Sequence, residues 1–393
     1  MNKPIFRIAS LLIALSMILP ACTARPTACE DPLGCVLVGK GEPIKIAVLL
    51  TLTGPDSPYG IDALRGVEIA LAGQGELSGH RVELVRADDL CTAEGGEQGA
   101  RQIAADPAIV GVIGASCSSS SVPATEILGK QGMTMISPSS TAPSLTLAGE
   151  YHPGFFRTIY NDKAQGRAIA EFIFRVLGLR TMSTIHDGSA YSKELQAAAC
   201  EDFEKLGGDC LGRIQIESGQ DISAKMLWVS KLKTDALYFP VYTVDGVNII
   251  NQVADKGIHS VLVSSDSILS PDFIEKTGEL SQGMYMSGPA PVAESEEFTR
   301  QYRAMYGEDP IAVYHLQAYD ATLMLLAAIE KAAIPSSNGS LSIQRQVLRD
   351  AIRNVRGETG LSGMLTCSDF GDCAEPVIEI FQVQKREFVP IYP

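Results

Sequence analysis

The amino-acid sequence predicts an α/β protein made of two lobes, each built around a parallel β-sheet. From residue 44 onward, short segments rich in β-branched residues alternate with amphipathic helical segments, the pattern of successive βαβ units. This alternation pauses around residues 148–157 and then resumes, which indicates that one sheet ends there and a second begins. The length of 393 residues fits two to three domains of ordinary size.

The predicted elements follow one another with short connections. The predicted strands are 44–50, 82–87, 110–113, 133–136, 181–186, 236–240, 260–264 and 283–287. Between them, apolar residues recur at spacings of three and four, which is typical of amphipathic helices. The clearest of these helices are predicted at 62–72, 93–105, 193–205 and 247–254.

The pattern changes after residue 288. It is mostly helical through residue 355, with the clearest helices at 297–305 and 318–331, and a strand-like segment follows at 377–383. Because this last segment can return to either sheet, we expect each lobe to combine separate parts of the chain. The predicted parts are 44–160 plus 289–373 for lobe 1, and 161–288 plus 374–393 for lobe 2.

Composition and charge narrow the class of protein. The chain is 46% hydrophobic and 20% charged, as expected of a packed globular protein. It has 46 acidic against 32 basic residues, a formal net charge of −14, and the basic residues do not cluster. Since binding to a phosphate backbone depends on clustered positive charge, we expect no nucleic-acid partner.

The first residues are typical of an export signal. Lys3 and Arg7 precede a 12-residue apolar run, which is too short for a bilayer crossing of about 20 residues. The segment Leu19-Pro20-Ala21-Cys22 resembles a bacterial lipobox, and it predicts a lipoprotein signal peptide over 1–21, lipid on Cys22 and a tether over 22–43. A plain secretory signal with a chance cysteine is the alternative; in both cases the protein leaves the cytoplasm.

The cysteines also favour an oxidising compartment. Of the nine cysteines, eight remain without Cys22, an even number. Proximity along the chain predicts Cys29–Cys35, Cys91–Cys117, Cys200–Cys210 and Cys367–Cys373, although eight cysteines allow 105 connectivities. No CxxC motif occurs, and none of the five histidines lies near a cysteine pair at a zinc-ligand spacing. We therefore expect neither a metal nor another cofactor.

Three loops at predicted strand ends carry the polar groups of a binding site. They are 54–60, 116–120 and 137–141, and ligands of open parallel sheets bind at the carboxyl ends of strands. The last two loops combine hydroxyls with free N–H groups at helix starts but contain no basic side chain. That combination suits a carboxylate better than a polyphosphate. The alternative is that these hydroxyls only cap helices.

Several short segments extend this pattern to a known family. They are Thr53-Gly54-Pro55, Tyr59-Gly60, Asp88-Asp89-Leu90-Cys91, Gly111-Val112-Ile113-Gly114, Cys117-Ser118-Ser119-Ser120, Ile136-Ser137-Pro138, Thr141, Phe156-Arg157-Thr158, Gln165-Gly166, His186-Asp187 and Tyr191. In these segments, their order and their spacing, the chain from about residue 44 to its end resembles the branched-chain amino-acid binding proteins of bacterial transport systems. The resemblance implies the type I periplasmic binding fold, with two Rossmann-like lobes joined by a multi-strand hinge. It also implies the Cys91–Cys117 disulfide.

The resemblance implies roles for the charged ends of an amino-acid ligand. Ser118 and Thr141 would hold the α-carboxylate through hydroxyl and backbone N–H groups. The Ser139 carbonyl and the Thr141 hydroxyl would contact the α-ammonium, with Asp266 as its counter-charge where relatives commonly have glutamate. The alternative for Asp266 is an ordinary loop acid that caps the helix near Pro271.

The resemblance also implies that Tyr59, Tyr191 and Tyr242 form walls of the cleft, the alternative being simple packing of half-buried aromatic rings. Relatives often have small apolar residues at the positions of Ser139 and Ser140. This departure predicts a more polar pocket here than in a leucine-binding protein.

These expectations together describe an extracytoplasmic lipoprotein that captures a small amino acid, branched-chain by default. The lobes would close on the ligand and deliver it to a membrane permease coupled to an ATPase. The chain has no GxxxxGK[ST] motif, so the ATPase would be a separate polypeptide.

The chain also lacks a G-x-S-x-G elbow, so we expect no enzyme. The resemblance implies a monomer, held at the membrane only by its lipid. The alternative function is sensing of an amide, urea or another small metabolite for a separate sensor protein.

Overall fold

The computed structural model describes residues 29–290 and 295–393. The predicted signal peptide over 1–21 and the predicted lipidation site Cys22 lie outside the described residues. The described strands are β1 (Cys35–Val38), β2 (Ile44–Leu50), β3 (Val82–Asp88), β4 (Ile109–Gly114), β5 (Thr134–Ser137), β6 (Phe155–Arg157), β7 (Thr181–His186), β8 (Asp209–Gln215), β9 (Ala236–Tyr238), β10 (Val261–Ser264), β11 (Tyr285–Pro289), β12 (Ala333–Pro335), β13 (Leu341–Gln344), β14 (Glu358–Gly360), β15 (Gly363–Leu365), β16 (Ile378–Gln384) and β17 (Glu387–Tyr392).

Helices fill most of the connections between these strands. The described helices are α1 (Ser57–Gln74), α2 (Ala93–Ala104), α3 (Ser118–Lys130), α4 (Asp162–Glu171), α5 (Ala190–Lys205), α6 (Ser223–Leu232), α7 (Thr243–Lys256), α8 (Pro271–Thr277), α9 (Ser295–Tyr306), α10 (His315–Ala332) and α11 (Arg345–Arg353). Each predicted strand between residues 44 and 287 has a counterpart whose ends lie within two residues of the prediction.

The first sheet is parallel throughout, in the order β3-β2-β4-β5-β6. Its central strands are apolar on both faces because helices cover both. In β2, Ile46 and Val48 belong to the core formed with α1 and α10, whereas Ala47 and Leu49 belong to the core formed with α2 and α3. A continuous apolar run is the sequence signature of such a doubly covered strand.

The second sheet has seven strands in the order β17-β16-β11-β10-β9-β7-β8. The five strands from β7 to β11 run parallel, and the C-terminal strands β16 and β17 join antiparallel at one edge. One face packs against α6, α7 and α8, and the other against α4 and α5. The predicted C-terminal strand therefore returns to the second sheet. The confirmed fold is α/β with two sheets, the first wholly parallel and the second parallel from β7 to β11, while the lobe limits given above stay a prediction.

Eight of the described strands were not predicted from the sequence, namely β1, β6, β8, β12, β13, β14, β15 and β17, and two of them matter most for the limits and order of the sheets. Strand β1, which falls in the predicted tether over 22–43, pairs antiparallel with β13 and buries Val36 and Val38 in the first core. The folded structure thus begins before residue 44. Strand β8 was not predicted because it lies at a sheet edge, where a charged residue, Arg213, and Gly212 interrupt its apolar positions.

All four predicted cysteine pairs are joined in the structure: Cys29–Cys35, Cys91–Cys117, Cys200–Cys210 and Cys367–Cys373. Cys91 and Cys117, whose Cα atoms lie 5.1 Å apart, link the loop after β3 to the start of α3. Within residues 29–290 and 295–393, every helix is too short or too polar to cross a membrane.

Candidate functional site

A small cavity lies between the two sheets, where the carboxyl ends of their strands face each other. Its volume is about 30 Å³. Five of the predicted binding residues line it: Tyr59, Ser118, Ser139, Tyr191 and Tyr242. They reach it because each one lies in a loop or first helical turn directly after a strand, the position where open α/β sheets bind ligands.

Hydroxyl groups tie the two serine loops of the first sheet together. Ser118 begins α3, and its Oγ accepts a hydrogen bond of 3.1 Å from the Ala142 N–H. Ser139 Oγ donates a bond of 2.7 Å to the Ser116 carbonyl. Ser140 does not line the cavity. Its hydroxyl is used inside the protein, at 2.7 Å from Ser121 Oγ.

Thr141 is fully buried, and its hydroxyl has no hydrogen-bond partner among the residues that the structure describes. Its carbonyl accepts a bond of 3.0 Å from the Asp162 N–H at the start of α4. Thr141 therefore has an unused polar group beside the cavity-lining serine loops. A buried hydroxyl without a partner lowers the stability of the folded protein.

Asp266 is fully buried and held by three donors. Gln165 Nε2 and the Tyr191 hydroxyl each donate a bond of 2.9 Å to Oδ1, and the Tyr314 hydroxyl donates one of 2.9 Å to Oδ2. Burial raises the pKa of Asp266, and these donors oppose the rise. The alternative role as a helix cap is wrong, because Ser270 caps α8 by accepting from the Phe273 N–H.

The tyrosines form two ring pairs around the cavity. Tyr191 and Tyr242, from loops of the second sheet, have ring centroids 5.4 Å apart, and Tyr59 and Tyr314 have centroids 5.9 Å apart. Burial raises the pKa of all four phenols. They therefore stay neutral and can donate hydrogen bonds at ordinary pH.

Sequence reasoning missed part of this site. Tyr314 and Ser267 line the cavity, and neither belongs to a segment that had been matched. Gln165 was recognised only as part of a matching segment, not as a partner of Asp266. For Tyr314 the available signal was an aromatic residue in the loop before α10, in a chain with only 6% aromatic residues.

Asp162 is the most unusual of the missed residues. It is fully buried, and neither of its carboxyl oxygens has a hydrogen-bond partner in the described part of the chain. Burial raises its pKa well above the ordinary value, and the charge of Asp266 adds to this rise. The interior next to Thr141 therefore holds a second carboxyl group.

The loops of the two sheets contact each other directly across the cleft. The Ala190 N–H donates a bond of 3.2 Å to Ser119 Oγ, and Glu194 accepts bonds from both the N–H and the hydroxyl of Ser144, at 2.8 and 2.7 Å. The conformation is thus a closed one. Its cavity has room for about two water molecules, so an amino acid enters only if the lobes or their tyrosines move apart.

Metal ligands are not gathered at the cleft or elsewhere in residues 29–290 and 295–393: no group of three or more His, Cys, Asp or Glu side chains there is arranged to hold a metal ion.

Comparisons with known proteins agree with this architecture. The family model of the periplasmic binding proteins matches residues 43–384. A Leu/Ile/Val-binding protein homolog from Brucella melitensis is 26% identical over 344 residues, which are 86% of this chain and 91% of the relative. The Leu/Ile/Val-binding protein of Escherichia coli K12 is 28% identical over 252 residues, 63% of this chain and 68% of the relative.

Among solved structures, a leucine-binding protein from Thermotoga maritima superposes with a TM-score of 0.80 at 27% identity, covering 88% of this chain and 97% of that protein. The region matched by the family model includes the first sheet, the second sheet except β17, and every residue of the cleft described above. The chain belongs to the periplasmic binding protein family.

Proposed function

We propose that this protein is an extracytoplasmic solute-binding lipoprotein that captures a small α-amino acid in its cleft and delivers it to an ABC permease. The observation that carries the proposal is the placement of Asp266. Its carboxylate is fully buried, supported by three donors, and lies across the cleft from serine loops that contain no basic residue.

The serine loops suit the carboxylate end of the ligand. Ser118 lies in the first turn of α3, where free backbone N–H groups and the helix dipole favour a negative charge. The Thr141 hydroxyl has no other partner in the described residues, so it remains available to the ligand. The proposed contacts for the carboxylate are the hydroxyls and N–H groups of Ser118 and Thr141, with the Ser139 carbonyl left for the ammonium.

Asp266 suits the ammonium end. A zwitterion that leaves water needs both of its charges compensated and hydrogen-bonded. Because Gln165, Tyr191 and Tyr314 already hold the carboxylate in position, the Asp266 side chain loses little conformational entropy when the ligand binds. Tyr59, Tyr191 and Tyr242 then enclose the side chain of the ligand, and Ser140 supports the loop from behind.

The relatives are Leu/Ile/Val-binding and leucine-binding proteins, so the default ligand class is leucine, isoleucine and valine. The apolar run followed by Ala21 and Cys22 supports export and a lipid anchor. The proposed partners are a membrane permease and a separate ATPase subunit, and the proposed binding protein is a monomer.

The test is isothermal titration of the purified mature chain with a panel of amino acids, amides and urea, supported by thermal shifts. A ligand that binds only the folded state raises the melting temperature by mass action. Saturable binding of any α-amino acid, lost when Asp266 is replaced by alanine, supports the proposal. Binding of an amide or urea alone, or binding indifferent to Asp266, contradicts it.

A further inference from the structure

The ligand cavity is lined almost entirely by side chains that carry a hydroxyl group. Its nine lining residues are four tyrosines, four serines and Cys117 of the Cys91–Cys117 disulfide. None of the nine has an aliphatic or an ionised side chain. The apolar part of the wall therefore consists mainly of tyrosine ring carbon and the sulfur of Cys117, and every ring ends in a polar group.

Four of these hydroxyls donate their proton to other groups of the protein. Tyr191 and Tyr314 donate to the Asp266 carboxylate. Ser139 and Ser267 donate to backbone carbonyls, at 2.7 and 2.8 Å. Each of the four can still accept a hydrogen bond from a ligand, because a hydroxyl oxygen has two lone pairs.

Tyr59 and Ser116 carry hydroxyls whose capacity is not used in this way. The Tyr59 hydroxyl is buried and has no hydrogen-bond partner in the described residues. The Ser270 and Thr243 hydroxyls oppose the rise in its pKa, but neither reaches hydrogen-bonding geometry with it. Ser116 Oγ accepts a bond of 3.0 Å from the Thr51 N–H, and its own proton has no acceptor in the described part of the chain.

Tyr59 and Ser116 adjoin the same point of the first sheet, the end of β2. Ser116 reaches it through the bond from Thr51, the residue directly after β2. Tyr59 reaches it through its neighbour Gly60, whose backbone packs so tightly there that a Cβ on Gly60 would lie 2.0 Å from the Thr51 carbonyl oxygen. Since both residues also line the cavity, two hydroxyl donors are available on one side of it.

These two donors remain for the side chain of the ligand. The proposed function assigns Ser118 and Thr141 to the α-carboxylate and Asp266 to the α-ammonium. A side chain that faces Tyr59 and Ser116 meets hydroxyls and tyrosine rings but no ionised lining residue. A charged side-chain group would therefore be buried without compensation. A hydroxyl or a carboxamide fits better, because both accept from these donors and can also donate to hydroxyl oxygens.

We propose that the ligand is an α-amino acid with a short, uncharged side chain that forms hydrogen bonds, of the threonine or asparagine type, and that Tyr59 and Ser116 select it. This inference rests on the proposed function and replaces its default ligand class. The small cavity volume of about 30 Å³ favours a short side chain. A site built to hydrogen-bond a ligand group rejects an analogue without that group, because its own buried polar groups are then left unpaired.

The first experiment compares ligands of the same shape on the mature chain by isothermal titration. Threonine is paired with valine, and asparagine with leucine, so that each pair differs in hydrogen-bonding groups and little in size. We expect at least one polar member to bind about ten-fold or more tightly than its aliphatic partner. A smaller preference in both pairs, or tighter binding of the aliphatic members, overturns this inference but leaves the proposed function intact. Binding of no α-amino acid overturns both.

The second experiment tests the two selecting residues. Tyr59→Phe removes a hydroxyl that has no partner in the described residues, so this variant is expected to fold. Ser116→Ala also removes the acceptor of the Thr51 N–H, so it is expected to be less stable. Thermal unfolding verifies that both variants fold.

The measured quantity is the ratio of the dissociation constants of the aliphatic and the polar member of a pair. A general loss of stability or affinity does not change this ratio. We expect at least one of the two variants to lower it about five-fold or more. Tyr319→Phe, which removes the hydroxyl of a tyrosine outside the cavity wall, is the matched control and should leave it unchanged. A ratio that falls less than this in both Tyr59→Phe and Ser116→Ala contradicts the inference.

Discussion

The Tyr314 hydroxyl donates a hydrogen bond of 2.9 Å to Asp266 Oδ2, across 48 positions of sequence. Tyr314 lies in the loop before α10, which packs on the first sheet, whereas Asp266 follows β10 of the second sheet. The bond therefore joins the two halves of the cleft at the residue proposed to bind the ligand ammonium, and closure and ligand binding share this contact.

Tyr314→Phe tests that shared contact. The change removes one donor from a buried carboxylate at a cost of about 1–3 kcal/mol, so we expect weaker ligand binding by roughly ten-fold and a lower melting temperature. Titration and thermal unfolding measure the two effects. Tyr319→Phe is the control, since Tyr319 contacts the Phe298 ring but does not reach Asp266. Equal effects of the two substitutions would mean that the bond to Asp266 has no special role.

Asp266→Asn keeps the size of the side chain but removes its charge. A charge-assisted hydrogen bond contributes about 1.5–3 kcal/mol, so we expect affinity for the ligand to fall by roughly 10- to 100-fold. Isothermal titration checks this, with the half-buried, ion-paired Asp272 changed to Asn as the control. If the Asp266 variant binds as tightly as the native protein, Asp266 is not the counter-charge of the ammonium.

Thr141 and Ser140 are adjacent, but substitution of each by alanine is expected to have different effects on stability and on ligand affinity. Thr141→Ala removes a hydroxyl that has no partner in the described residues, so stability should be nearly unchanged while ligand affinity falls about ten-fold or more. Ser140→Ala breaks bonds to Ser121 Oγ and the Ala115 carbonyl, so the free energy of unfolding should fall by about 1–2 kcal/mol with affinity largely retained. Denaturant unfolding and titration of both variants separate the roles. The reverse pattern would contradict the site assignment.

Asp56 makes stability depend on pH. Its pKa is raised from an ordinary value of 3.8 to about 6, chiefly by burial, so the folded protein binds the proton more tightly than the unfolded chain does. The contribution of Asp56 to the free energy of unfolding is therefore greatest below pH 4, falls as the pH rises to about 6 and is level above that.

Asp56→Asn should remove this dependence. We expect the variant and the native protein to be similar at pH 4, and the variant to be more stable at pH 7 by at most about 3 kcal/mol. Denaturant unfolding at both pH values measures the difference, and Asp255→Asn at an exposed position serves as the control. A variant that is less stable than the native protein at pH 7 would show that the Asp56 carboxylate is compensated in the folded state.

Local patterns in the sequence were sufficient for most of the fold. Strands β2 and β4 were predicted as short runs rich in β-branched residues, and helix α1, after β2, was predicted over 62–72 from its spacing of apolar residues. The serine loops, the Asp266 position and the four cysteine pairs also came from the sequence, through proximity or through resemblance to a family. Each of these predictions depends on residues that lie close together in the sequence.

Only the tertiary structure decided which distant residues meet. In the folded protein, β1 pairs with β13, some 300 residues further along the chain. The folded part of the chain therefore begins before residue 44. Closure of the two lobes brings Tyr314 to Asp266. No local spacing encodes such contacts, because they depend on how two sheets with their covering helices pack together. The sequence by itself thus determined the sheets, the polar loops and the disulfides, and the packing of the lobes decided which side chains line the cavity between them.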